Sequence, residues 1–215
     1  MRASTKNNET MKKPRGRPRA YEPETALRQA ADAFWKAGYS GTSLDDISAA
    51  TGMNRPSLRA AFGDKHDLYI KALNDYWKLK FAAIRKAFGR GGTLAETLMR
   101  VYEAALSIYF SGKGTPRGCF VIGTAVTEAV DDPDIRKSVA AGLRAIDADF
   151  EARFRIAHDR GELKEGADPT ALAILASATM HSIAIRVRAG TPRAELREMA
   201  RKAVSVICGC QVNPS

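Results

Sequence analysis

Residues 41–68 read GTSLDDISAATGMNRPSLRAAFGDKHDL, and the order of starts and stops in this stretch decides the fold. Ser43 followed three residues later by Asp46 is a capping-box start, in which each side chain takes up an amide hydrogen near the other residue. Leu44 and Ile47 share one face of the helix that follows, which the pattern carries to about Ala50 before Gly52 ends it. Asn54 can cap a second short helix whose second position is Pro56. A missing N–H costs nothing there, because first-turn donors have no partner inside a helix. Gly63 stops this helix after about two turns, and Asp64, with Asp67 at the third position, caps a longer one.

Working outward, Ala26, Leu27, Ala30, Ala31, Phe34 and Ala37 recur at helical spacing, predicting a helix over 23–38 that begins at Pro23 and stops at Gly38. The helix opened by Asp64 carries Leu68, Ala72, Leu73, Tyr76 and Leu79 as an apolar stripe and persists to about Phe88. Further helices are predicted over 93–111, 116–130, 132–160, 168–189 and 192–208, separated by glycine- and proline-rich breaks. No strand-like alternation competes with them. The expectation is an all-α protein of about nine helices. Two short helices joined by a tight turn, spanning 43–62, form a helix-turn-helix. The second helix of such a unit enters a DNA major groove about 12 Å wide, which explains its shortness.

The charge is placed as that reading requires. Of a formal net charge of +10 in 215 residues, the first 20 residues hold seven Lys or Arg against one acid, Glu9. This basic arm, with Pro14 and Pro18 and no apolar periodicity, is expected to be disordered in isolation and to favour a polyanionic partner. Within it, Arg15-Gly-Arg17-Pro resembles the minor-groove core of AT-hook segments, where a narrow extended backbone lets arginines lie in an A·T-rich groove. With 45% hydrophobic residues the chain can bury a sizeable core. No apolar run approaches the roughly 18 residues a membrane span needs, so a cytoplasmic protein without membrane contact is expected, nucleoid-associated when on DNA. Three cysteines, Cys119, Cys208 and Cys210, make no even disulfide framework.

The run from Gly41 through Ser43, Gly52, Phe62 and Lys65 to Leu68 strongly resembles the DNA-binding region of TetR-family transcriptional regulators, specifically over residues 23–75. Pro116-Arg-Gly-Cys-Phe is similar to one branch of the same family. The resemblance implies an arm at 1–20, a helix-turn-helix domain at 21–67, and a helical effector-binding and dimerisation domain at 68–210. It implies a ligand-responsive repressor that binds a palindromic double-stranded operator as a homodimer and is released by a small-molecule effector. Candidate DNA contacts are Arg15 and Arg17 in the arm, Ser43 and Lys65 to phosphates, and Asn54, Arg55, Pro56, Ser57 and Arg59 along the second short helix. Many relatives carry tyrosine where Arg59 stands; its guanidinium is suited either to a phosphate or to a guanine edge.

For an effector pocket the candidates are Trp77, Phe81, Tyr102, Tyr109, Phe120 and Met180. For the dimer interface they are Leu172, Leu175, Thr179 and Ile183 in the eighth helix, with Leu196, Met199, Ala203 and Ile207 in the ninth. An alternative is a redox- or metal-responsive regulator acting through Cys208-Gly-Cys210 or Cys119, the latter placed in the first turn of a helix opened by Thr115-Pro116, with Arg117 favouring thiolate. The three histidines show no ligand spacing with the cysteines, and neither metal nor cofactor is expected. Enzyme chemistry lacks a motif: Gly112-Lys-Gly-Thr fails as a phosphate loop at both defining positions, and no nucleophile elbow, zinc-protease signature or dinucleotide fingerprint occurs. A helical interaction module would explain the arm, but not Gly52, Asn54 and Pro56 at their spacing.

Overall fold

A computed structural model describes residues 22–112 and 114–209. Within them the chain folds into nine α-helices and no strand: α1 (Pro23–Ala37), α2 (Leu44–Thr51), α3 (Arg55–Phe62), α4 (Lys65–Phe88), α5 (Leu94–Tyr109), α6 (Val126–Glu128), α7 (Pro133–Asp159), α8 (Pro169–Arg188) and α9 (Arg193–Ile207). A π-helical turn, Val121–Ala125, runs directly into α6. Side-chain caps fix the starts of α2, α3, α4, α5, α7 and α8. Ser43 Oγ accepts from the Asp46 amide while Asp46 Oδ2 accepts from the Ser43 amide at 2.8 Å. Asp64 with Asp67, and Thr93 with Glu96, repeat that box on α4 and α5, whereas Asp132 and Asp168 cap α7 and α8 singly.

The first three helices pack on one another and on the N-terminal part of α4, whose remaining turns pack on α5 and α7. One buried cluster therefore runs through both halves. Ile47, Leu58 and Phe62 anchor α2 and α3 in it, and Phe34, Tyr69 and Phe120 join it edge to face and stacked, with ring centroids 5.1 and 5.6 Å apart. Farther on, α8 packs against α7, and α9 lies on α5 and α8.

Three expectations change. The helix expected over 116–130 begins only at Phe120, because Gly118 takes positive φ (68°) and the amides of Arg117 and Gly118 both donate to the Tyr109 carbonyl. Cys119 thus precedes the helix instead of lying in its first turn. In α4, Leu79 is 54% exposed, while Lys80 is buried. The inward register runs through Leu73, Tyr76, Lys80, Ile84 and Ala87, a spacing that leaves Leu79 outside. Finally, α8 is long and apolar enough to cross a membrane by length and composition, with a window of mean hydropathy 1.4. Thr170, Ser177, Thr179, His181 and Ser182 interrupt its apolar run without bringing down the mean. Its inward face (Ala173, Ala176, Met180, Ile183, Ala184, Val187) is packed in the core.

Candidate nucleic-acid interface

The turn between α2 and α3 is made by Gly52 in the left-handed region, φ 68°, where any Cβ is disfavoured. Asn54 then caps α3, its Oδ1 accepting from the Ser57 amide at 2.9 Å, with Pro56 in the first turn. The two faces of α3 separate cleanly. Leu58 and Phe62 are buried, whereas Asn54, Arg55, Pro56, Arg59 and Ala60 are exposed and Ser57 is half-buried. A helix of eight residues anchored by one face and capped at its start presents its first turns outward as a rigid unit.

The two arginines of α3 differ electrostatically. Arg55 is clamped by Asp45 on α2, Nε to Oδ1 at 2.8 Å and Nη2 to Oδ2 at 2.5 Å. The Arg59 guanidinium makes neither a hydrogen bond nor a short ion pair among the described residues; it acts only at longer range on Asp64. Asp45 is a residue that motif reading missed, and its signal was an acid ten positions before an arginine across a tight turn. Ser43 spends its hydroxyl on the capping box, accepting from the Asp46 amide and donating to Oδ2. Donation to the Asp46 carboxylate from the Ser43 hydroxyl first and the Ser43 amide second holds that carboxyl below its ordinary range. Lys65 opens α4 with its ammonium 4.3 Å from the Tyr39 ring centroid. Arg15 and Arg17 lie outside the described residues.

Three polar contacts tie this N-terminal unit to the rest of the chain. Ser40 Oγ donates to Glu128 at 2.9 Å, Arg117 Nη1 to Asp32 at 2.7 Å, and His66 Nε2 meets Asp132 Oδ2 at 2.8 Å. The Arg117 guanidinium also stacks on Trp35, 4.3 Å from its centroid. It therefore serves the junction and does not act on Cys119 as its sequence proximity suggested. The ligand atoms of His66, Asp132 and Asp134 fall within 4.8 Å of one another. They already satisfy protein groups, since Asp132 Oδ1 caps α7 through the Asp134 and Ile135 amides.

The predicted effector residues divide into two groups. Trp77 and Phe81 stack at 5.3 Å and line a groove of about 850 Å³ between α4 and α7, with Ile70, Asn74 and Gly142. Tyr102, Tyr109, Phe120 and Met180 are fully buried, and the Tyr102 hydroxyl donates to the Ala176 carbonyl at 2.9 Å. Of the predicted dimer residues, Leu175 is 55% exposed, and Leu172, Thr179, Met199 and Ala203 are half-buried. Ile183, Leu196 and Ile207 are buried in the chain's own core, a correction whose cause is the packing of α8 and α9 on each other and on α5. The large apolar residues that α8 and α9 do leave in solvent are Ile174, Leu175, Ile185 and Val206.

Comparison with known proteins agrees with this geometry. Residues 26–72 match the family model "Bacterial regulatory proteins, tetR family", and residues 95–204 match "Tetracyclin repressor-like, C-terminal domain". The chain is 31% identical over 199 residues to the HTH-type transcriptional repressor ComR of Escherichia coli K12, covering 92% of this chain and 94% of that protein. It is 27% identical over 159 residues to the uncharacterised HTH-type regulator YezE of Bacillus subtilis, covering 74% and 81%. Among solved structures, it is similar to a cysteine-substituted form of the TetR family regulator CifR bound to a 26-bp operator duplex. That likeness has a TM-score of 0.76 at 29% identity, over 88% of this chain and 98% of the other.

Proposed function

Because the chain belongs to the TetR family of transcriptional regulators, we propose that it is a repressor binding a palindromic operator as a homodimer and released by a small-molecule effector. The observation that carries this reading is α3, whose outward face offers Asn54, Arg55, Pro56 and Arg59 while Leu58 and Phe62 fasten its inward face. Polar and cationic groups on a rigid groove-sized helix are the means by which base edges and phosphates are read. Lys65 supplies a flanking phosphate contact, and Ser43 supplies another when its hydroxyl turns from Asp46 Oδ2 to the DNA. The arm at 1–20, through Arg15 and Arg17, adds affinity in the adjacent minor groove. The reading divides the chain into this arm, a DNA-binding unit at 21–67 and an effector and dimerisation unit at 68–210, joined by the unbroken α4.

A dimer follows from the same physics. One α3 offers few base contacts, and two of them about 34–36 Å apart read successive major grooves of an inverted repeat. The helix α8 supports it, being apolar on both sides: one side fills the core, and the other presents Ile174, Leu175 and Ile185. We assign that outer side to a second copy and not to a membrane. The CifR complex with operator DNA and the repressor role of ComR support the operator-binding repressor reading.

Release requires an effector that binds the non-DNA state more tightly than the DNA-bound one. Trp77 and Phe81 line the groove where such a molecule enters, and Tyr102, Tyr109, Phe120 and Met180 form the core it rearranges. The element it moves is α4, which begins beside α3 and carries the effector residues Trp77 and Phe81 in its middle turns. The protein acts in the cytoplasm, on nucleoid DNA.

Selecting bound duplexes from a random library with the full chain tests the proposal. Inverted repeats are the expected product; enrichment no better than for a scrambled duplex at moderate salt would overturn it.

A further inference from the structure

A cleft between the end of α1, the connection at 112–117 and the end of α8 belongs neither to the DNA-reading face nor to the α4–α7 groove. It measures about 890 Å³, and its charged lining is Lys36, Arg117 and Arg188 against a single carboxylate, Asp32. The three cations are not equally engaged. Arg117 donates to Asp32 and stacks on Trp35, whereas neither the Lys36 ammonium nor the Arg188 guanidinium has a hydrogen bond or ion pair among the described residues. Trp35 also lines the cleft; it is 7% exposed, and its buried indole Nε1 has no hydrogen-bond partner. Indole, ammonium and guanidinium are donors only. What Trp35, Lys36 and Arg188 leave unsatisfied here is therefore a demand for acceptors.

Glycines hold the arrangement together. A Cβ on Gly112 would lie 2.6 Å from Arg117 Nη2, and one on Gly123 would overlap the Arg188 guanidinium. Gly118 brings the connection against α8, where a Cβ would come 2.5 Å from the Ala184 carbonyl oxygen. Two guanidiniums from different elements thus rest on bare backbone around one space. Arg117 and Gly118 belong to Pro116-Arg-Gly-Cys-Phe, a stretch to which DNA reading gives no task.

We propose that this cleft binds a small phosphate monoester, its phosphate held among Lys36, Arg117 and Arg188. Three cations less one carboxylate leave two positive charges, which a monoester with roughly two negative charges near neutral pH offsets. Its three terminal oxygens can accept from α1, the connection and α8 at once, and guanidinium forks match their geometry. The space exceeds what a free phosphate fills, which leaves room for the organic part of an ester. Bound there, the ligand ties α1 to α8 and competes with Asp32 for Arg117, one of the three polar contacts that join the N-terminal unit to the rest. Binding itself does not rest on the regulator reading given above.

Isothermal titration calorimetry of the full chain with ethyl phosphate, at about pH 7.5 and about 0.15 M salt, tests the assignment. Saturable binding with a Kd below about 1 mM is expected. Inorganic phosphate should bind more weakly, and diethyl phosphate, which has lost a charge and a terminal oxygen, at least about tenfold more weakly. Arg188→Gln and Lys36→Gln should each weaken ethyl phosphate at least about tenfold. Arg188→Lys should cost less than Arg188→Gln, and Lys86→Gln, which removes an exposed cation elsewhere on α4, should cost nothing. In a nitrogen-15 spectrum the Trp35 indole resonance, identified by its loss in Trp35→Phe, should move on titration more than that of Trp77. The site is overturned if binding saturates only above about 1 mM, if Arg188→Gln loses no more than Lys86→Gln, or if the Trp35 resonance stays still. Tighter binding of inorganic phosphate than of the ester overturns the ester assignment. Failure of the chain to prefer any duplex would instead count against the regulator reading, while the calorimetry still decides this site.

Discussion

Arg55 and Arg59 stand one helical turn apart on the exposed face of α3, yet they are not equivalent reagents. Arg55 is neutralised by the Asp45 clamp, and the Arg59 guanidinium has no such partner. Contacting a phosphate through Arg55 therefore first requires breaking a bidentate pair, although an exposed pair of this kind is weak. Arg59→Ala is expected to weaken binding to a selected duplex by about 1–3 kcal/mol, more than Arg55→Ala does. Asp45→Asn should tighten it and steepen the salt dependence by about one released counterion. Equal losses for the two arginines, measured by anisotropy titration across salt concentrations, would refute the distinction. His181 supplies a prediction of another kind. Burial, then the Lys80 charge, lowers it from 6.5 to about 4. The unfolded chain then binds the extra proton between those values. The contribution of His181 to stability is complete above 6.5 and is lost as pH falls toward about 4, by at most about 3 kcal/mol. His181→Gln should flatten that part of the urea-midpoint profile, and an unchanged slope would contradict the burial argument. Much of the DNA-facing site was readable at this scale, because caps, turn glycine and exposed cations are local. Asp45 was not assigned, because its partner comes from another element. Lys80 did leave a trace, as a charge on the Leu73, Tyr76, Ile84, Ala87 register.

Helix boundaries were legible wherever a cap or breaker enforced them. Ser43, Asn54 and Asp64 start α2, α3 and α4, and Gly52 and Gly63 end the first two of these. Where a long-range bond decides, sequence periodicity misleads. The segment 116–119 has helix-compatible neighbours, but Tyr109 of α5 takes its amides and Gly118 leaves helical space. The α4–α7 contact depends on a related detail. A Cβ on Gly142 of α7 would come 2.1 Å from the Trp77 ring, so the indole lies directly on this helix because no side chain intervenes. Gly142→Ala gains helix propensity of about 1 kcal/mol yet must displace the indole. The net expectation is a loss of about 1–2 kcal/mol in urea unfolding, with a changed Trp77 fluorescence; a more stable variant with unchanged fluorescence would show that the contact is loose.

Across the whole molecule, the helix layout and all-α class were legible because six of the nine helices among the described residues start at a side-chain cap, and proline or glycine bounds α1 and α9. The dimer face was only partly so. A stripe on α8 or α9 does not by itself say which side meets the chain's own core, and Ile183, Leu196 and Ile207 turned inward while Ile174 and Ile185, which the stripe omitted, face out. Leu175→Glu places a charge at the centre of the outward side of α8. It should yield a folded monomer in sedimentation and abolish high-affinity binding while leaving weak, salt-sensitive binding. A dimer surviving that substitution would move the interface elsewhere. The central claim is that two copies of α3 read one duplex, and hydroxyl-radical footprinting of the full chain on a selected duplex tests it most directly. The account predicts two protected patches on one face of the DNA, related by a twofold axis and about 34–36 Å apart. A single patch, or protection without that symmetry, would contradict it.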